Sequence, residues 1–379
     1  MVPFTSSSNA LKPRLRDFGI EVGRLTPGQW NAITDVPSVR VGHTTLIEGH
    51  GPLIPGHGPV RTGVTAIIPH AGSVYQSMIP ASIAVLNGAG EITGRSQVDE
   101  YGVIETPILI TNTLSVGAVH QACVEWLTDR EPSLGTGDFV IPVVAETFDG
   151  WLNDTGGQHV KREHVFSALD SAASGPVAEG SVGGGTGMIL YGFKGGVGTS
   201  SRVVAIENTQ YTVGVIVQGN YGGRRDLLFD GVPLSQELID FEPPPEPKKD
   251  GSIIVTIATD APLSERQLGR LCRRGMLGLG RIGATARHTS GDLLIAFSNA
   301  PENRVRRTAR PARQTYVYLD DEMINDLFLA TIEATAESVL NALVAAESMV
   351  GRDDHVVPAL PMDLIVTLMK ANGRVANNV

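Results

Sequence analysis

Cysteine is almost absent from this chain: there are two, Cys123 and Cys272, each inside an apolar, helix-like stretch. Two thiols so far apart frame neither a disulfide scaffold nor a zinc pattern, and they read as small buried hydrophobes. Positive charge is short as well. Charged residues are 18% of the chain and the formal net charge is −10. That leaves no basic stripe for phosphates and excludes a general nucleic-acid binder. No apolar run approaches the ~20 residues of a spanning helix, and residues 1–16 lack an apolar signal core. No membrane partner is expected, and the cytoplasm is the expected compartment. The nine histidines include no H-E-x-x-H. The glycine runs at 183–187 and 195–198 lack the Lys-Ser/Thr that completes a P-loop, and no G-x-S-x-G elbow occurs. Neither a metal nor an organic cofactor is expected.

Glycine, by contrast, is abundant, with 44 residues and no G-X-Y period, which means many turns and close backbone approaches. At 379 residues and 42% hydrophobic, the chain can fill a large core. A continuous apolar run at 139–145 reads as a strand buried on both faces, and the largely apolar run at 253–257 reads as a further strand. Glycine-separated runs at 188–193, 202–206 and 212–217 read as hairpin strands. A further strand is expected at 316–319. Helices are expected at 161–174, at 265–277 behind a Ser264–Gln267 capping box, and at 322–349. The mixture fits packed sheets with helices outside, an α+β arrangement of four layers or of three.

One stretch stands apart. Pro243-Pro244-Pro245-Glu246-Pro247-Lys248-Lys249-Asp250-Gly251-Ser252 is a Pro-rich, charged linker that runs straight into the strand-like Ile253–Ile257 segment. Gly251 has no Cβ, so it can take a strained conformation that exposes its carbonyl. The hydroxyl of Ser252 is tethered next to that carbonyl, so its attack is intramolecular. Attack gives an ester by an N-to-O shift, and water then releases Ser252 as a new N-terminus. Its α-amine, with an ordinary pKa of ~7.7–8.0, can take the hydroxyl proton. The expected products are residues 1–251 and 252–379, from a single domain in which 240–251 is a flexible processing linker.

Several ordered motifs carry a resemblance. They are Asp250-Gly251-Ser252-Ile253-Ile254, Ser290-Gly291-Asp292 before a strand, and Val143-Val144-Ala145-Glu146-Thr147-Phe148-Asp149-Gly150. Leu152-Asn153-Asp154, Gly183-Gly184-Gly185-Thr186-Gly187-Met188 and Val215-Ile216-Val217-Gln218-Gly219-Asn220-Tyr221-Gly222 accompany them. Arg61-Thr62-Gly63-Val64-Thr65 and Ile110-Thr111-Asn112-Thr113 complete the set. Over about residues 14–350 the chain resembles the self-cleaving serine aminopeptidases, which include L-aminopeptidase/D-esterase-amidases and β-peptidyl aminopeptidases. The resemblance implies a four-layer αββα sandwich like that of N-terminal-nucleophile hydrolases, with different strand connectivity. It also implies homo-oligomers of processed pairs, with a tetramer expected.

By the same resemblance Ser252 is the nucleophile, Ser290 and Asp292 are its hydrogen-bonding partners, Asn220 stabilises the oxyanion, and Glu146 binds the substrate's free ammonium. A carboxylate at Asp292 would oppose an amine acting as base, because it favours the ammonium. Phe148 departs from relatives that carry a hydroxyl-bearing Tyr there; with no donor, it is expected to shape the pocket. Asn87, Asn112 and His288 are weaker candidates to line the site. The substrates implied are small peptides, amides or esters bearing a free amine. Two rivals remain: acyl transfer to an amine, as in ornithine acetyltransferases, and a non-catalytic ligand-binding protein.

Overall fold

The computed structural model describes residues 12–234, 237–238, 251–308 and 311–375. The linker ahead of Gly251 therefore lies outside the described residues.

Two sheets form the centre. The smaller runs β1 (Arg40–Glu48), β2 (Val60–Ile68), β5 (Ile108–Asn112), β6 (Val143–Thr147) in that spatial order. All neighbours are antiparallel except β5 and β6. The larger runs β15 (Val305–Arg306), β3 (Ser77–Gly88), β14 (Gly291–Ser298), β13 (Ser252–Thr259), β10 (Thr209–Asn220), β9 (Val197–Ile206), with β4 (Val103–Ile104) also on β3. Here β13 and β14 are the parallel pair. Short pairs β7 (Ile189–Leu190) with β8 (Phe193–Lys194), β11 (Leu228–Phe229) with β12 (Val232–Pro233), and β16 (Met349–Val350) with β17 (Val356–Val357) lie outside these sheets.

Alternation along the strands builds the layers. On β13, Ile254 and Ala258 join Ile216, Ile295 and Ile110 in the core between the sheets. Ile253, Val255 and Ile257 point the other way, onto Leu268, Leu271 and Val339. Those three residues belong to α4 (Glu265–Arg281) and α5 (Asn325–Val344), the helices that cover the larger sheet. On the smaller sheet, Leu109 and Val144 face Val119, Cys123 and Val165, from α2 (Val116–Thr128) and α3 (Arg162–Asp170). A short α1 (Arg95–Tyr101) and a closing α6 (Met362–Ala371) complete the helices of the described residues. The fold is a four-layer αββα sandwich. Because β13 is buried on both faces, it reads as a largely apolar run.

The expected capping box forms: Ser264 Oγ accepts from Gln267 N at 3.3 Å, and Gln267 Oε1 accepts from Ser264 N at 3.0 Å. Three expected strands differ. The run at 139–145 is extended only from Val143, and Phe139 is 63% exposed; Pro142 has no N–H to give a ladder. Residues 316–319 are not a strand. Their backbone bonds elsewhere, Val317 N to Asn303 Oδ1 and Leu319 N to Pro262 O. The run at 188–193 is broken into β7 and β8. Against the expectation that no run would be, one helix is long and apolar enough to cross a membrane: within the 20-residue α5 an 18-residue window has a mean hydropathy of 1.4, and 83% of that window is buried inside the fold.

Candidate active site

Ser252 opens β13 and lies in register with Asn220, the last residue of β10. On its other side the next residue, Ile253, pairs with Asp292 of β14. The site therefore sits where three adjacent strands begin or end together. Ser252 is buried, and its Oγ accepts a hydrogen bond from Gly291 N at 3.1 Å. Gly251 is required by closeness. A Cβ built on it would lie 1.4 Å from the Asn220 carbonyl oxygen. That backbone contact is one no other residue can make.

The Ser290 hydroxyl donates to Asp292 Oδ1 at 2.6 Å, and both are buried. Burial pushes the Asp292 carboxyl above its ordinary range, and the Ser290 bond offsets this only in part. Alternation places Asp292 on the helix-facing side with Leu294 and Ala296, whereas Ser252 shares the inter-sheet side with Ile254 and Ala258. The direct partner of Ser252 Oγ among the described residues is thus the Gly291 N–H between Ser290 and Asp292. Asn87 clamps this turn: its Nδ2 donates to the carbonyls of Arg287 at 2.9 Å and His288 at 3.3 Å, and also to that of Ser290. The His288 side chain is exposed. Asn112 is buried and caps its own turn, accepting from Leu114 N and Ser115 N at 3.1 Å.

Asn220 is held at both ends of its amide. Oδ1 accepts from Ile189 N at 2.7 Å, and Nδ2 donates to the Phe148 carbonyl at 2.8 Å. One Nδ2 hydrogen remains, beside Gly251. The Phe148 ring is 47% exposed and packs over Gly150.

Glu146, next to the last residue of β6, is buried, with Oε1 accepting from Glu91 N at 2.9 Å and Oε2 from the Thr113 hydroxyl. Burial pushes its carboxyl up; the Thr113 and Glu91 bonds pull it back, and the Glu91 charge adds to the rise. Gly90 joins the two halves of the site: a Cβ there would lie 3.1 Å from Glu146 Oε1 and 3.2 Å from the Gly291 Cα. So Glu146, on the small sheet, and Gly291, on the large one, flank the same glycine. Thr113, Gly90 and Ile189 went unnoticed as site residues. The one sequence signal for Thr113 was its place in Ile110-Thr111-Asn112-Thr113. Among the described residues no three His, Cys, Asp or Glu side chains gather to hold a metal.

A family model described as peptidase family S58 matches residues 31–357. The chain is 44% identical to the beta-peptidyl aminopeptidase BapA of Sphingosinicella xenopeptidilytica, over 98% of this chain and 94% of that one. It is similar to the L-aminopeptidase D-Ala-esterase/amidase of Ochrobactrum anthropi, a serine aminopeptidase described as a variant of the Ntn hydrolase fold (TM-score 0.90, 42% identity, 96% of this chain and 100% of that one). The beta-aminopeptidase of a Burkholderia species superposes with a TM-score of 0.87 at 44% identity, covering 95% of this chain and 99% of that one.

Proposed function

The chain belongs to peptidase family S58 and is an aminopeptidase, a hydrolase of peptide bonds, and from that footing we propose that it cuts itself between Gly251 and Ser252 and then works through Ser252. The observation that carries this reading is the packing of Gly251 against Asn220, with the Ser252 hydroxyl held next to it by Gly291 N–H. In the intact chain, Oγ attacks the Gly251 carbonyl and the amide nitrogen leaves as the Ser252 α-amine. Water then cleaves the resulting ester. In the cut enzyme that amine takes the hydroxyl proton as Oγ attacks the substrate carbonyl. The free Nδ2 hydrogen of Asn220 stabilises the oxyanion, a contribution often worth ~3–4 kcal/mol. The proton passes to the leaving nitrogen, and water hydrolyses the acyl-serine.

Ser290 and Asp292 set the position and charge of the new amine. With its carboxyl pushed up by burial, Asp292 favours the ammonium less than an ordinary Asp would, which eases the conflict with a basic amine. Glu146 takes the substrate ammonium, whose arrival restores the charged carboxylate that burial disfavours. The substrates are L-amino acid peptides, D-Ala amides and esters, or β-amino acid peptides, and a panel of L-Ala, D-Ala and β-Ala p-nitroanilides ranks them. Processed pairs assemble into a tetramer. The cytoplasm suits an enzyme whose cysteines are both free and buried.

Intact mass under denaturing conditions tests the central step. The active wild-type enzyme runs as residues 1–251 and 252–379, and Ser252→Ala stays whole and inactive. Activity in an uncut chain sinks the proposal, as does self-cleavage of Ser252→Ala.

A further inference from the structure

Lys194 is the one lysine of the described core that is fully buried. It lies on β8, in register with Ile189 of β7. No carboxylate pairs with it among the described residues. Its Nζ instead donates to two carbonyls, those of Met188 and Gly195, each at 2.7 Å. A buried ammonium is ordinarily paired with an anion, because desolvation is costly. Burial accordingly pulls this amine down to about 7. The fold does not need it merely to satisfy Met188, whose carbonyl also accepts from Gly195 N at 3.3 Å.

The carbonyl of Met188 and the N–H of Ile189 are two ends of one peptide unit. That N–H donates to Asn220 Oδ1 at 2.7 Å. A single line of bonds thus runs from Lys194 Nζ through the Met188–Ile189 peptide to the Asn220 amide, and from its Nδ2 to the Phe148 carbonyl beside the nucleophile. In a planar, trans peptide the C=O and N–H dipoles point the same way, so a donor on the oxygen polarises the N–H. Hydrogen bonds in such a chain strengthen one another, and charge-assisted ones are about twice as strong as neutral ones.

We propose that Lys194 is a positioning residue for the oxyanion donor: its Nζ, bonded to the Met188 carbonyl, polarises the Met188–Ile189 peptide and fixes the Asn220 amide so that the remaining Nδ2 hydrogen is a stronger donor. This rests on the reading of Asn220 as oxyanion donor. The reacting charge then feels a lysine that never touches it. The effect falls on the transition state, where the oxyanion exists, and not on ground-state binding.

A double-mutant cycle on the full chain tests it, with β-Ala and L-Ala p-nitroanilide turnover expressed per cleaved chain. Lys194→Met lowers kcat roughly tenfold with KM within twofold, as loss of a charge-assisted bond predicts. In an Asn220→Ala background the same change lowers kcat less than twofold. If the tenfold loss persists in that background, Lys194 acts on the fold and the proposal falls while the Asn220 reading stands. If Asn220→Ala alone leaves kcat intact, the oxyanion reading falls and takes the proposal with it. Should Lys194→Met fail to fold, Lys194→Gln, which keeps an N–H donor without the charge, runs through the same cycle with the same outcomes.

Discussion

Two of the places where this sandwich buries carboxylates do so by opposite means. On the helix side of the large sheet, Arg202 of β9 meets Glu333 at 3.2 Å and Glu337 at 2.6 Å, one turn apart on α5. Arg16 reaches Glu337 at 2.8 Å, and Asn31 donates to it. Burial pushes Glu337 up, but Arg202 and Arg16 outweigh it and hold its carboxyl below the usual range. At the site, Glu146 and Asp292 have hydroxyl and N–H partners but no ion pair among the described residues, and burial wins. The first cluster has its charges answered from within. The second has no cation of its own among the described residues, as the proposed roles of Glu146 and Asp292 beside amines require.

The comparison breaks most severely if the paired cluster is opened. Arg202→Met leaves Glu333 and Glu337 buried without their shared cation, a loss that costs about 3–5 kcal/mol. Thermal unfolding should register it as a large drop in Tm, with kcat per cleaved chain within twofold of wild type. An unchanged Tm would mean that the cluster does not hold α5 to the sheet.

Opening the other cluster should do the reverse. Glu146→Gln removes a charge that already lacks a cation, so Tm holds or rises. Substrates that bring an ammonium lose their partner: kcat/KM on the p-nitroanilides falls about 100-fold, and simple esters without an amine lose less than threefold. Equal losses on both substrate classes would remove Glu146 from amine recognition.

The pH dependence of stability sharpens the contrast in sign. Glu337, held low, contributes stability that is present above its ordinary value of 4.5 and lost as pH falls through its folded value. Glu146, pushed up, contributes stability that is present below 4.5 and lost as pH rises through its folded value. Against wild type, Glu337→Gln therefore falls behind as pH rises toward 4.5. Glu146→Gln moves ahead as pH climbs above 4.5. Denaturant unfolding from pH 3 to 7 reads both, and parallel curves for the two variants would erase the distinction.

What the chain discloses beforehand follows the same divide. Ser252, Ser290, Asp292 and Asn220 stand in local motifs at strand ends, so their neighbours in sequence announce them. The layers were legible because strands and helices alternate in type along the chain and apolar runs such as 253–257 stand out. The Arg202–Glu333–Glu337 cluster was not, because Arg202 lies more than a hundred residues from the two glutamates and no period links it to them. Gly90 was hidden for the same reason: its contact with Glu146 and Gly291 exists only once two sheets meet. The strand expected at 316–319 failed because Asn303 and Pro262 supply the bonds that a ladder would have supplied.

The smallest expected effect probes how finely Glu146 is held. Thr113→Val keeps the shape of the side chain and removes the hydroxyl that donates to Glu146 Oε2. Glu91 N–H still holds Oε1 at 2.9 Å, so the carboxylate stays in place with one donor fewer. That bond lowers the Glu146 carboxyl against the push of burial, so its loss raises the carboxyl further. KM for amine-bearing substrates should rise about fivefold, near 1 kcal/mol, with kcat within twofold. The acid limb of the KM profile should move to higher pH at the same time. A fall in kcat at constant KM would instead place the Thr113–Glu146 pair in the chemistry on Ser252, and the division between ammonium recognition and nucleophile would have to be redrawn.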